Sequence, residues 1–87
     1  MVEIRLYGTP ACHLCEAAHD LLALIANECD VDVTEVDIST DDALMTRYGI
    51  RIPVIQRTND MAELGWPFDL DALRDFINCR LKTPREE

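Results

Sequence analysis

Basic residues are scarce in this chain: 8 lysines and arginines stand against 17 aspartates and glutamates, a formal charge of −9. That balance repels nucleic acid and anionic membrane and favours basic partners. Long apolar runs are missing as well. No segment approaches the roughly 20 residues that cross a bilayer. Met1-Val2-Glu3-Ile4-Arg5 has neither the basic start nor the unbroken apolar stretch of a signal peptide, so cytoplasmic residence without membrane attachment is expected. With only 3 glycines there is no phosphate-cradling loop, and no Ser-His-Asp order can be assembled. Internal repeats and low-complexity linkers are absent too.

What is present suits one small globular domain. Eighty-seven residues, 48% of them hydrophobic, can bury a modest core without staples. We expect a domain over residues 1–82 followed by a polar tail over 83–87, and a monomer. Four cysteines would suggest a disulfide framework in an exported chain; without an export signal they point instead to catalysis or metal binding.

Val2, Ile4 and Leu6 predict a strand over 2–7, ended by Gly8-Thr9-Pro10. Leu14, Ala18, Leu21, Leu22 and Ile25 recur at helical spacing and predict a helix from about 13 to about 27. Val31, Val33, Val36 and Ile38 mark a second strand whose alternation changes phase, consistent with a bulge or an early end. Ser39, Thr40 or Asp41 can cap a short helix carrying Leu44, Met45 and Tyr48, with Gly49 as its left-handed terminator. Ile50–Ile55 reads as a third strand. Thr58-Asn59-Asp60 turns into a fourth strand near Met61–Leu64, and Gly65–Phe68 reads as a loop. Asp69 caps a last helix with Leu70, Leu73, Phe76 and Ile77 inward. The order is β-α-β-α-β-β-α, an α/β fold with a four-stranded mixed sheet flanked by helices, its first two strands parallel and its last two antiparallel.

Chemistry concentrates at Cys12-His13-Leu14-Cys15, where the first strand's turn meets the first helix. Thiol exchange needs a thiolate, and the N–H groups at a helix start favour one on the first sulfur. Cys12 is therefore the expected nucleophile and Cys15, one turn deeper, the resolving thiol. His13 is a candidate to tune the thiolate. The competing reading makes Cys12 and Cys15 ligands of a structural zinc completed by His19 or Cys29, although the chain offers no second close pair of ligands.

With Tyr7-Gly8-Thr9-Pro10-Ala11-Cys12-His13-Leu14-Cys15 and Tyr48-Gly49-Ile50-Arg51-Ile52-Pro53-Val54, the chain resembles the glutaredoxins over nearly its whole length, and most closely a bacterial group of small glutaredoxin-like proteins. The resemblance implies a thioredoxin-like fold and a cis proline at Pro53 facing the sulfurs. It also implies a substrate chain that pairs with the backbone of Ile52. Glutathione is implied as a co-substrate, with Asp69 meeting its amino group and Arg47 or Arg51 a carboxylate. No bound cofactor or resident metal is expected. The chain departs from the family's common pattern in three places. Thr9 replaces a lysine, His13-Leu14 replaces a Pro-Tyr pair, and Gly65-Trp66-Pro67-Phe68-Asp69 replaces a Gly-Gly-x-Asp turn.

The expected activity is thiol-disulfide exchange on protein or small-molecule disulfides, acting as a reductant recharged by glutathione or a dedicated reductase. Thr9, Pro10, Leu14, Ile52, Pro53, Arg47, Arg51, Trp66 and Asp69 form the expected substrate surface. A fold-only binding module is the rival reading. Cys29 and Cys79 lie outside any paired motif and are expected to be free, non-catalytic thiols, while His19 is expected to be a surface or partly buried residue.

Overall fold

The computed structural model describes residues 2–78. Cys79 and the tail expected at 83–87 lie outside the described residues, as does the end of the domain expected at 82. The elements are β1 (Val2–Gly8), α1 (His13–Glu28), β2 (Val31–Asp37), a 3-10 turn (Ile38–Thr40), α2 (Asp42–Tyr48), β3 (Val54–Arg57), β4 (Glu63–Gly65) and α3 (Leu70–Ile77).

One mixed sheet runs in the order β2-β1-β3-β4. β1 is parallel to β2 from Val2↔Val31 to Gly8↔Asp37, and β3 is antiparallel to both β1 and β4. The order follows from the connections. A helical crossover returns β2 beside β1 in parallel, whereas the short turn after β3 forces β4 to run back. The main core packs Ile4, Leu6 and Ile55 of the sheet against Ala18, Leu22 and Ile25 of α1 and Leu73 and Ile77 of α3. A smaller cluster joins Tyr7, Ile38, Tyr48 and Val54 on α2's side.

Several boundaries differ from expectation. The register of β2 is unbroken, so there is no bulge. Its change of phase arises because both faces are covered: Val31 and Val33 belong to the main core, Val36 packs on the smaller cluster, and Asp37, whose carboxylate accepts from the Ser39 amide, ends the strand before fully buried Ile38 of that cluster. Gly49 is not left-handed (φ −50°). A side chain there would instead meet the Met45 carbonyl oxygen at 2.5 Å. The third strand begins only at Val54, because Ile50–Ile52 form the exit from α2: Arg51 and Ile52 both donate their amides to the Tyr48 carbonyl, and Ile50 is fully exposed. Met61 is not in a strand but takes positive φ (61°) in the turn, which delays β4 to Glu63 and brings Gly65 into it. Cys29 is fully buried and sits in a disulfide, so the expected free thiol is corrected.

Candidate active site

Gly8 closes β1, and Thr9-Pro10-Ala11 carry the chain to Cys12, the N-cap of α1. Thr9 begins the turn by accepting from the Cys12 amide (3.3 Å). Cys12 has extended backbone, and its Sγ accepts from the Cys15 amide at 3.1 Å. A sulfur thus occupies the place that a serine or aspartate oxygen takes in an ordinary cap, on amides that no helical carbonyl can reach.

The two sulfurs have different surroundings. Cys12 is partly exposed, whereas Cys15 is 7% exposed. Burial pushes the Cys15 thiol up to about 11; the Cys12 side chain adds to the rise and the Thr9 backbone opposes it. At neutral pH Cys15 is a protonated thiol. Its Sγ lies so close to β1 that a Cβ built on Gly8 would stand 2.8 Å from it. Pro53 directly precedes Val54, which pairs with Tyr7 at the end of the β1–β3 ladder, one residue before Gly8. The Ile52–Pro53 peptide is cis and Pro53 is buried.

The other expected residues divide into two groups. Thr9 and Pro10 line a cavity of about 280 Å³ that also reaches Cys15, and Leu14 is half-exposed on the first turn of α1. His13 is 96% exposed, with Nδ1 3.6 Å from Glu16 Oε2, so its ring faces solvent beside a carboxylate. Arg47 and Arg51 both approach Glu63, at 3.6 and 3.0 Å, and both guanidinium groups lie over the Tyr48 ring. Trp66 packs against the main core edge-on to Phe68 and donates its amide to the Pro53 carbonyl. The Trp66–Pro67 bond is cis as well. Asp69 caps α3 through the Ala72 amide (2.8 Å).

A polar network joining α2 to the sheet had no counterpart in the sequence reading. The Tyr7 hydroxyl donates to Gln56, whose amide donates to Glu63; the Tyr48 hydroxyl donates to the same carboxylate at 2.6 Å. Glu63 is held below the usual carboxylate range, first by that tyrosine bond and then by Arg51. Gln56, 3% exposed, was the readable clue: a polar residue directly after Val54-Ile55 in a central strand needs a buried partner. Among the described residues no group of three or more His, Cys, Asp or Glu side chains is placed to hold a metal ion. None of the described helices is long and apolar enough to cross a membrane.

The model of the glutaredoxin-like domain known as DUF836 matches residues 3–78. The chain belongs to this glutaredoxin-like family. Among solved structures, a small protein of X. campestris known from X-ray analysis is 36% identical, with a TM-score of 0.76, over 86% of this chain and 95% of that one. A Nitrosomonas europaea protein known from solution NMR is 25% identical, with a TM-score of 0.75, over 87% of this chain and 91% of that one. A thioredoxin variant from Halobacterium salinarum, 24% identical with a TM-score of 0.70 over 88% of this chain and 72% of its own, shares the fold. No curated protein matches. The glutaredoxin-like fold and the nearness of Cys12 to Cys15 are compatible with redox chemistry at the start of α1.

Proposed function

We propose that the protein is a thiol-disulfide oxidoreductase in which Cys12 attacks and Cys15 resolves, on protein or small-molecule disulfides. One observation carries this reading: the Cys15 amide donates to Cys12 Sγ, while Cys15 itself is buried and protonated. The more accessible sulfur accepts from a hydrogen-bond donor that supports negative charge, and the second sulfur waits one turn below.

Cys12 thiolate attacks one sulfur of the substrate disulfide, whose S–S bond breaks and releases one thiolate. Cys15 loses its proton and attacks Cys12 Sγ, displacing the second substrate thiolate. Two electrons pass to the substrate, which leaves as two thiols, and a Cys12–Cys15 disulfide remains. Substrate backbone would dock beside Pro53. Because the Ile52 amide already donates to Tyr48, the Ile52 carbonyl is the group offered there.

Reduction of the substrate is the working direction we propose, in the cytoplasm, with glutathione or a reductase restoring the dithiol. Arg47 and Arg51 already face Glu63, so a glutathione carboxylate has to compete for them. The acidic surface also slows the approach of an anionic tripeptide. Protein disulfides are therefore the better-fitting substrates.

Incubating the reduced protein with a disulfide and weighing the product tests the reading. A Cys12–Cys15 disulfide should form in the native chain, and a stable mixed disulfide on Cys12 should accumulate in Cys15→Ser. A native chain that never forms the internal disulfide would refute it.

A further inference from the structure

Resolution by Cys15 poses a problem that the sulfur pair alone does not solve. A thiol pushed up to about 11 is almost entirely protonated near pH 7, yet it must lose its proton to attack. The proton needs an acceptor beside Cys15.

The about 280 Å³ cavity next to Cys15 supplies candidates. It is lined by Glu16, His19 and Asp20 of α1 and by Glu35 of β2; a smaller neighbouring cavity brings in Asp37. Cys15 and His19 are four residues apart on α1, hence on one face, and helical side chains lean toward the N-terminus, so His19 leans over the turn that holds Cys15. His19 Nε2 stands 3.1 Å from Glu35 Oε2, and Nδ1 stands 3.7 Å from Asp20 Oδ1.

We propose that His19, oriented by Glu35, accepts the Cys15 proton through water in this cavity as Cys15 attacks the mixed disulfide. The inference rests on the oxidoreductase reading and adds a residue to it. The Glu35 carboxylate, 3.1 Å from Nε2, favours a proton on that nitrogen and so leaves Nδ1 as the base, the logic by which a carboxylate sets a histidine tautomer in other catalytic pairs. Carboxylates are much weaker bases than imidazole, which is why the ring and not Glu16, Asp20, Glu35 or Asp37 takes this role. The imidazolium then lies between Glu35 and Asp20. Proton and electrons balance: the Cys15 proton moves by water to Nδ1, the Cys15–Cys12 bond forms, the Cys12–substrate bond breaks, and the leaving thiolate takes the electron pair. That thiolate or solvent then recovers the proton.

Dipyridyl disulfide gives a direct test, because each of its halves leaves as a thiopyridone without help from an acid. The full-length protein with Cys12 and Cys15 reduced and the Cys29 disulfide intact should release one equivalent when Cys12 attacks and a second when Cys15 resolves, in two separable phases. In His19→Gln the loss should fall on the second phase, about tenfold to a hundredfold near pH 7, and that phase should lose its pH dependence in the neutral range. Glu35→Gln should slow the same phase less. An unchanged second phase in His19→Gln, or an equal slowing in Glu16→Gln, would overturn the assignment. Absence of the first phase from the native chain would overturn the oxidoreductase reading, and this assignment with it.

Discussion

Gly8 and Cys15 are fitted to each other: a Cβ on Gly8 would lie 2.8 Å from the Cys15 sulfur and 3.1 Å from its Cβ. The end of β1 thus forms the wall against which the resolving thiol rests. Gly8 has no positive φ, so its lack of a side chain answers to space and not to backbone angle.

Gly8→Ala should therefore act on the sulfur before it acts on the strand. The added methyl overpacks the site, at a cost of about 1–3 kcal/mol in stability, and pushes Cys15 off its present position. Urea unfolding of the reduced protein measures the first effect. A redox titration measures the second, as an internal disulfide that forms less readily than in the native chain.

The two thiols should differ sharply toward alkylating agents. A rise from 9.0 to about 11 lowers the Cys15 thiolate fraction at pH 7 by about a hundredfold relative to an ordinary thiol, and burial limits access further. Iodoacetamide at pH 7 should label Cys12 first, and Cys15 should react freely only after unfolding. Peptide mapping by mass spectrometry checks the order, and equal labelling of both in the folded chain would contradict it.

Glu63 ties α2 to β4 through Tyr48, Arg47 and Arg51. Its carboxyl is held below its ordinary value, so the stability it contributes is present above the unfolded value of about 4.3 and is lost as pH falls through the lower folded value. Glu63→Gln should cost about 1–3 kcal/mol at pH 7. Unfolding curves for the two proteins should converge as the pH falls through the lowered folded value of Glu63. A gap that persists undiminished in acid would mean the charge is not what Glu63 supplies.

Asp69 allows a structural role to be separated from a binding one. Its carboxylate caps α3 at the Ala72 amide, so Asp69→Ala should lose about 1 kcal/mol, while Asp69→Asn, which keeps an acceptor oxygen, should recover most of it. Glutathione-dependent turnover of the asparagine variant then reports on the charge alone. A drop there, with stability restored, would show that Asp69 meets the glutathione amino group.

Helix α1, the cap at Asp69 and the relative directions of the strand pairs were legible in the sequence because each rests on local chemistry: apolar spacing, a side-chain oxygen before a helix, a turn too short for a crossover; for α2 the sequence left Ser39, Thr40 and Asp41 open as caps. Cys12 and Cys15 were legible for the same reason, since four consecutive residues after a strand define both their separation and their place at the helix start. Local signals misled where the chain had two options. Ile50 has the composition of a strand residue, yet the bonds from Arg51 and Ile52 to the Tyr48 carbonyl hold that segment as the exit of α2 and leave Ile50 in solvent.

The sequence by itself determined the order of elements, the acidic surface and the presence of two sulfurs on one helical turn. Only the tertiary structure decided that Cys15 rests on Gly8, that Arg47 and Arg51 face Glu63, and that His19 meets Glu35 beside a cavity at Cys15. The reason is distance along the chain. Hydrogen bonds and periodicity within a few residues fix local structure, whereas the meeting of β1, β2, β3 and β4 with α1 and α2 depends on how the whole sheet packs, and that determines each side chain's neighbours.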